Sequence, residues 1–372
     1  MTLSCFIISF AKSDALRCVQ VFTLESQDIE SLQTEFQHLK ECGFNTLIIR
    51  VFKNPGDSRY QFLPEKHSAG VYFASSTEPI VADILTPVLA AAHKLDMKVF
   101  AWITTRKSQW LLKAHPEWAS PAIDPETGLE LSGGHLDIFR SDAGNRMLGF
   151  LTELADSGVD GVLLQDDLVS RQYEDFFTNS WLTFKGRTFQ KADLHELFNL
   201  NIKPYKYRPS YYNWARHKTL SLAKVLKYIV THLKKRHPNL TIAVNLYYET
   251  VVSPHHGRLW LSQDLEEFAS IPIDYWAIMA YQLQIAKELN LSLEQIADKL
   301  KLADKRLQNS FLIPRSRILW KFQTQDWQTG RLMTTKEWER FFDTFSPDQY
   351  VLAPYRNRDS IRSFVSATLS KE

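Results

Sequence analysis

Two adjacent carboxylates, Asp166 and Asp167, close the apolar run Gly158-Val159-Asp160-Gly161-Val162-Leu163-Leu164-Gln165. A short continuous apolar run is how a parallel strand buried on both faces reads. In α/β barrels the catalytic groups stand where such strands end. Paired acids at a strand end suit glycoside hydrolysis, which uses two carboxyl groups. They equally suit metal binding or the capping of a turn. Neighbouring strand residues point to opposite faces, so one acid is expected to act on a substrate while the other orients it or caps the next segment. Glu249 is the best second carboxylate that residue chemistry offers, against the alternative of a surface loop acid. Asp175 and Asp326 are weaker candidates.

Further polar and aromatic residues fall at the ends of strand-like segments. Arg50, Trp102, Asn245, Tyr281, Lys321, Gln323, Trp327 and Tyr355 form the expected substrate-binding set, with Asn54, Thr104, Arg106 and Tyr247 beside them. Amides, aromatics and a few cations converging on one rim suit a polar, ring-shaped substrate such as a sugar. The chain carries 10 Trp, 14 Tyr and 23 Phe; most must pack in the core, but some can stack on sugar faces. His255-His256 lacks the His spacing of a metal site, so no metal is expected. Neither G-x-G-x-x-G nor a P-loop is present, so no cofactor is expected. No G-x-S-x-G elbow occurs.

Composition narrows the class. The 372 residues carry a formal charge of +2, which argues against a nucleic-acid partner. No apolar run is long enough to span a bilayer. Cys5, Cys18 and Cys42 are irregularly spaced and read as buried, inert thiols. The apolar stretch Leu3–Ala11 lacks a basic flank; residues 1–15 are read as either the remnant of an export signal or an extra segment packed on the fold.

These residues need a scaffold that gathers strand ends. Strand patterns occur at Cys18–Leu24, Thr46–Phe52, Lys98–Ile103, the segment ending at Asp167, Thr241–Tyr247, Tyr275–Tyr281, Arg317–Gln323 and Gln349–Tyr355. Helical spacing fills Ser26–Lys40, Ile84–Leu95, Asn145–Asp156, Tyr212–His237, Leu293–Leu302 and Thr335–Phe345. Eight strands alternating with helices predict an α/β fold, a (β/α)8 TIM-type barrel with long loops at the C-terminal rim, in one domain over 16–372. The connection from Leu168 to about Ser210 is long enough to be a functional insertion or a subdomain.

With these residues assembled, the chain resembles the C-terminal glycoside hydrolase domain of the PgaB proteins. The resemblance rests on Gly161–Asp167 followed by Tyr173-Glu174-Asp175, on Trp276–Ala280, on Gln323-Thr324-Gln325-Asp326-Trp327, and on Trp214-Ala215-Arg216. It implies endo-cleavage of partly deacetylated poly-β-1,6-N-acetylglucosamine, a biofilm polysaccharide. It also implies acid chemistry at Asp166 and Asp167, sugar stacking by Trp102 and Trp327, and export. Two positions depart from the family pattern: Gln165 replaces a His before the acids, and Lys321 replaces a Glu. They raise two alternatives, a non-catalytic polysaccharide-binding barrel and a hydrolase of another, anionic glycan. The family's deacetylase domain has no counterpart in these residues, so deacetylation is expected from a separate protein. The oligomeric state is not legible.

Overall fold

The computed structural model describes residues 15–131 and 134–369. The Leu3–Ala11 stretch and Cys5 lie outside them. Among the described residues, eight strands close into a barrel: β1 (Arg17–Val21), β2 (Thr46–Arg50), β3 (Lys98–Ile103), β4 (Gly161–Leu164), β5 (Thr241–Tyr247), β6 (Tyr275–Met279), β7 (Ile318–Gln323) and β8 (Tyr350–Tyr355). Each strand pairs in parallel with its sequence neighbours, and β8 closes on β1. Helices α1 (Ile29–Glu41), α2 (Leu85–His93), α3 (Ser141–Asp156), α4 (Pro209–Arg236), α5 (Leu265–Phe268), α6 (Leu293–Asn309), α7 (Thr335–Thr344) and α8 (Asp359–Leu369) follow the strands in turn. This is the (β/α)8 barrel that the alternating pattern predicts.

The strands are near-continuous apolar runs because both faces are covered. Val162, Leu163 and Leu164 are all fully buried. Gly161 opens β4 for a steric reason: a Cβ there would lie 2.8 Å from the Phe100 ring and 2.9 Å from the Thr241 carbonyl oxygen. Asp28 caps α1 through a capping box with Ser31.

Several strands end earlier than their apolar runs do. β1 stops at Val21 and β6 at Met279, leaving Phe22 and Tyr281 on the rim. β2 stops at Arg50, and Phe52–Lys53 pairs antiparallel with Gly70–Val71. β4 stops at Leu164, so the chain has turned before it reaches Asp166.

The 168–210 connection builds a cap over one side of the rim. It holds short helices at Asn179–Lys185 and Ala192–Leu197 and a two-stranded ribbon of Phe198–Asn199 with Lys206–Tyr207. Its own core joins Phe176, Trp181, Leu194, Leu197 and Phe198 to Tyr211 and Trp214 of α4. Trp181 meets Trp214 edge to face at 5.1 Å. Burying each such side chain contributes about 1.5–3 kcal/mol, enough to fix a loop of this length as a wall.

Candidate active site

The two acids have different surroundings. After β4, the Gln165 amide donates to the Ile103 carbonyl and the Leu168 amide closes a turn onto Gln165. In this turn Asp167 swings to the end of β3. Its Oδ2 accepts from Thr104 Oγ1 at 2.6 Å and from the Lys107 amide at 2.6 Å; its Oδ1 accepts from Thr105 Oγ1 at 2.7 Å. The Thr105 amide adds a further bond, and the residue is 2% exposed. Asp167 is therefore a staple between the β3 and β4 loops, not a group free to meet substrate.

Asp166 instead lines a cavity of about 610 Å3 at the C-terminal rim. Its Oδ2 accepts from the Tyr247 hydroxyl at 3.1 Å, and that hydroxyl accepts from Arg171 Nη2 at 2.8 Å. The Arg171 guanidinium also lies 5.4 Å over the Tyr247 ring. Burial and the Asp166 charge hold the Tyr247 phenol well above its usual range, so it remains a donor to the carboxylate.

Glu249 lines the same cavity, at the start of a short helix just beyond β5. Burial raises its pKa, the charge of Glu288 raises it further, and Arg171 opposes weakly. One carboxyl oxygen, Oε2, is buried without a hydrogen-bond partner. Such a group favours its protonated form. The cavity thus holds one acid bonded to a tyrosine and one whose pKa its surroundings raise, the asymmetry an acid/base pair requires.

Aromatic groups complete the walls. Trp260 lines the cavity, is 37% exposed, and is backed by the His256 ring at 4.2 Å and 5°. Tyr281 faces the cavity and meets Trp327 edge-on at 5.4 Å. Trp327 stacks on Phe22 at 6.0 Å, and Phe22 packs on Trp102 at 4.9 Å. Trp327 is partly exposed, whereas Trp102 is buried at 8% and serves the rim as packing.

Other expected site residues are placed elsewhere. Tyr355 faces outward, its hydroxyl donating to Glu35 on α1. The cause is register: Val19 pairs with Leu352 but Val21 with Tyr355, so β8 carries one extra residue and alternation flips. Gln323 is buried and spent on neighbours, its Oε1 accepting from the Gln284 amide at 2.8 Å. Arg50 is buried and holds the loop after β2 through the Ser58 carbonyl. Asn245 and Lys321 are bonded to each other, Nζ to Oδ1 at 2.7 Å, inside the barrel at 1% exposure each. Lys321 therefore does not read the charge of a bound glycan.

The two weaker acid candidates are structural. Asp326 caps the turn at Gln328–Thr329 and pairs with Lys287 at 2.5 Å. Asp175 is fully buried against Arg106, at 2.6 Å, and Ser120, at 3.0 Å. Glu174 faces Arg106 at 3.7 Å and His135 at 3.2 Å. This network ties the start of the cap to the end of β3, which fixes Arg171 at the cavity wall. Among the described residues, no three His, Cys, Asp or Glu side chains are grouped to hold a metal.

Arg171, Trp260 and Glu288 belong to the cavity although the strand-end inventory does not reach them. Arg171 lies four residues beyond Asp167, within the same connection, and was the most accessible to sequence reasoning. Trp260 and Glu288 reach the rim on helices Pro254–Leu261 and Gln282–Leu289, with no signal in spacing.

The model of hypothetical glycosyl hydrolase family 13 matches residues 25–347. Among solved structures, the glycoside hydrolase domain of PgaB (BpsB) from Bordetella bronchiseptica superposes with a TM-score of 0.72 at 20% identity, over 95% of this chain and 97% of that one. A β-galactosidase from the psychrophilic Marinomonas ef1 gives 0.62 at 12% identity, over 96% of this chain and 60% of that one. The catalytic domain of a β-amylase from Paenibacillus polymyxa gives 0.57 at 13%, over 96% and 99%. At these identities the likeness is one of fold. No curated protein sequence gives a match.

Proposed function

Because the chain belongs to hypothetical glycosyl hydrolase family 13 and is by class a glycosidase, we propose that it cleaves, in endo fashion, a β-1,6-linked polysaccharide of partly deacetylated N-acetylglucosamine. The observation that carries the reading is that Asp166 and Glu249 face one cavity while Asp167 does not. Glu249 gives its proton to the glycosidic oxygen as the bond breaks. Asp166, oriented by Tyr247, supplies the carboxylate on the other side of the sugar.

Charge supports the choice of an amino sugar. With Glu249 as the proton donor and Glu174 paired with Arg106 and His135, Asp166 and Glu288 are the carboxylates left to face Arg171, the sole guanidinium or ammonium among the described lining residues. A cavity with this excess of carboxylates favours a substrate bearing free ammonium groups over an anionic one. Trp260 and Tyr281 offer faces for sugar rings. The reading takes 16–372 as one catalytic unit acting outside the cytoplasm on polymer deacetylated by a separate protein; no described helix is long and apolar enough to cross a membrane.

The test is mass analysis of products from partly deacetylated poly-β-1,6-N-acetylglucosamine, alongside its fully acetylated form and an anionic glycan. The expected result is a ladder of oligosaccharides from the deacetylated polymer, absent with Asp166→Asn and Glu249→Gln. Binding without product sinks the enzymatic reading for this polymer. Cleavage of the anionic glycan alone sinks the amino-sugar assignment.

A further inference from the structure

Lys321 is a cation placed inside the barrel with no route to the cavity. It is 1% exposed, its Nζ donates to Asn245 Oδ1 at 2.7 Å, and it lies 5.9 Å from the centre of the Tyr281 ring. Asn245 is two residues before Tyr247 on β5, so both project to one side, and Tyr247 is the residue that bonds Asp166. Tyr281 borders the other side of the cavity. The lysine thus stands one strand layer below Tyr247, whose hydroxyl bonds Asp166, and against the ring of Tyr281 at the cavity border.

We propose that Lys321 is a positioning residue for Asp166: a buried charge under the cavity floor that holds the carboxylate in its working orientation and acts on the reaction only through it. This inference rests on the assignment of Asp166 as a reacting group.

The titratable and charged groups facing Lys321 are Asp166 after β4, Cys18 on β1 and, across its ring, Tyr281 after β6. Burial pushes the Cys18 thiol up to about 12 and holds the Tyr281 phenol far above its usual range, so both are neutral near pH 7. Asp166 is left as the anion that faces the lysine. Burial lowers the Lys321 ammonium to about 7, against the opposing pull of Asp166. The cation is present below that value and lost as pH rises through it. Asp166 then loses its counter-charge while the uncharged amine keeps its place beside Asn245.

Two measurements test this. The first is the pH dependence of kcat and KM for wild type, Lys321→Met and Lys321→Arg. In wild type the loss of the Lys321 cation should steepen the fall in rate above about pH 7, in addition to the limb set by Glu249. Lys321→Met should lower kcat about 10- to 100-fold with little change in KM, and Lys321→Arg should restore part of the rate and lose the steeper segment. The second needs no activity and no core variant at the lysine. In wild type labelled at lysine 13Cε, two resonances should titrate below the ordinary lysine range, Lys218 near pH 8 and Lys321 near pH 7, and in Asp166→Asn the lower one should move lower still, since the anion that favours its ammonium is gone. A wild-type kcat in Lys321→Met, or a lysine titration unchanged by Asp166→Asn, overturns the proposal. Absence of hydrolysis in every form, with the coupled titration intact, defeats the assigned reaction but leaves the Lys321–Asp166 coupling standing.

Discussion

Asp166 and Asp167 are adjacent in the chain and turn their carboxylates to opposite ends. Asp166 faces the cavity and accepts from Tyr247 at 3.1 Å, while Asp167 is held by Thr104, Thr105 and Lys107 at the end of β3. The pair divides its labour between chemistry and placement.

The two amide variants should therefore separate. Asp166→Asn should abolish turnover, by about 1,000-fold or more, with an unchanged urea midpoint. Asp167→Asn should lower unfolding stability by about 2–3 kcal/mol, because its amide group meets N–H and O–H donors that need an acceptor. Equal kinetic losses with no stability difference would contradict the division.

Glu249 predicts a pH dependence with a definite sign. Its pKa is raised by burial and by Glu288, so the acid form survives to higher pH than an ordinary Glu. Activity that needs that proton falls as pH rises through the raised value. Glu288→Gln removes a like charge, lowers that value, and should move the alkaline limb of kcat to lower pH. Glu249→Gln should cost about 100- to 10,000-fold. A limb that stays in place in Glu288→Gln argues against Glu249 as the donor.

Trp260 should serve binding rather than chemistry. Its ring is braced by His256 and borders the cavity. Trp260→Ala should raise KM for long oligosaccharides about 3- to 10-fold, the worth of one aromatic contact, with kcat nearly constant. A change in kcat alone would place the ring closer to the reacting bond than the structure does.

The buried network under the cap predicts both stability and its pH range. Arg106→Ala strands Asp175 without its guanidinium and leaves Glu174 with His135, and should cost about 3–5 kcal/mol, read by urea unfolding and by faster proteolysis within 168–210. Burial pushes the Glu174 carboxyl up, but His135 and Arg106 outweigh it and hold the group at about 2. Its contribution is complete above the ordinary Glu range and lost as pH falls through about 2. Arg106→Ala should weaken this acid dependence.

The barrel was legible because each strand is buried on both faces, which leaves a short apolar run between turn residues, and because helices show period 3.6 between them. Strand ends were less legible. An apolar run records burial, not hydrogen bonding, so the patterns around Val21, Arg50, Leu164 and Met279 overran the strands and assigned rim residues to them. The strand-end inventory did put Asp166, Glu249 and Tyr281 at one rim, where the cavity has all three.

The sequence by itself determined the fold class and the rim to which the acids are delivered, since alternation and burial are written in local pattern. Only the tertiary structure decided which acid faces the cavity. A turn after Leu164 and one extra residue in β8 rotate side chains by half a period, and neither leaves a mark in composition. The same holds for Lys321: a lysine in a strand reads as a cation for substrate, and only its packing beside Asn245 shows that it is sealed below. Spacing sets which residues share a strand; closure of the barrel sets which of them meet.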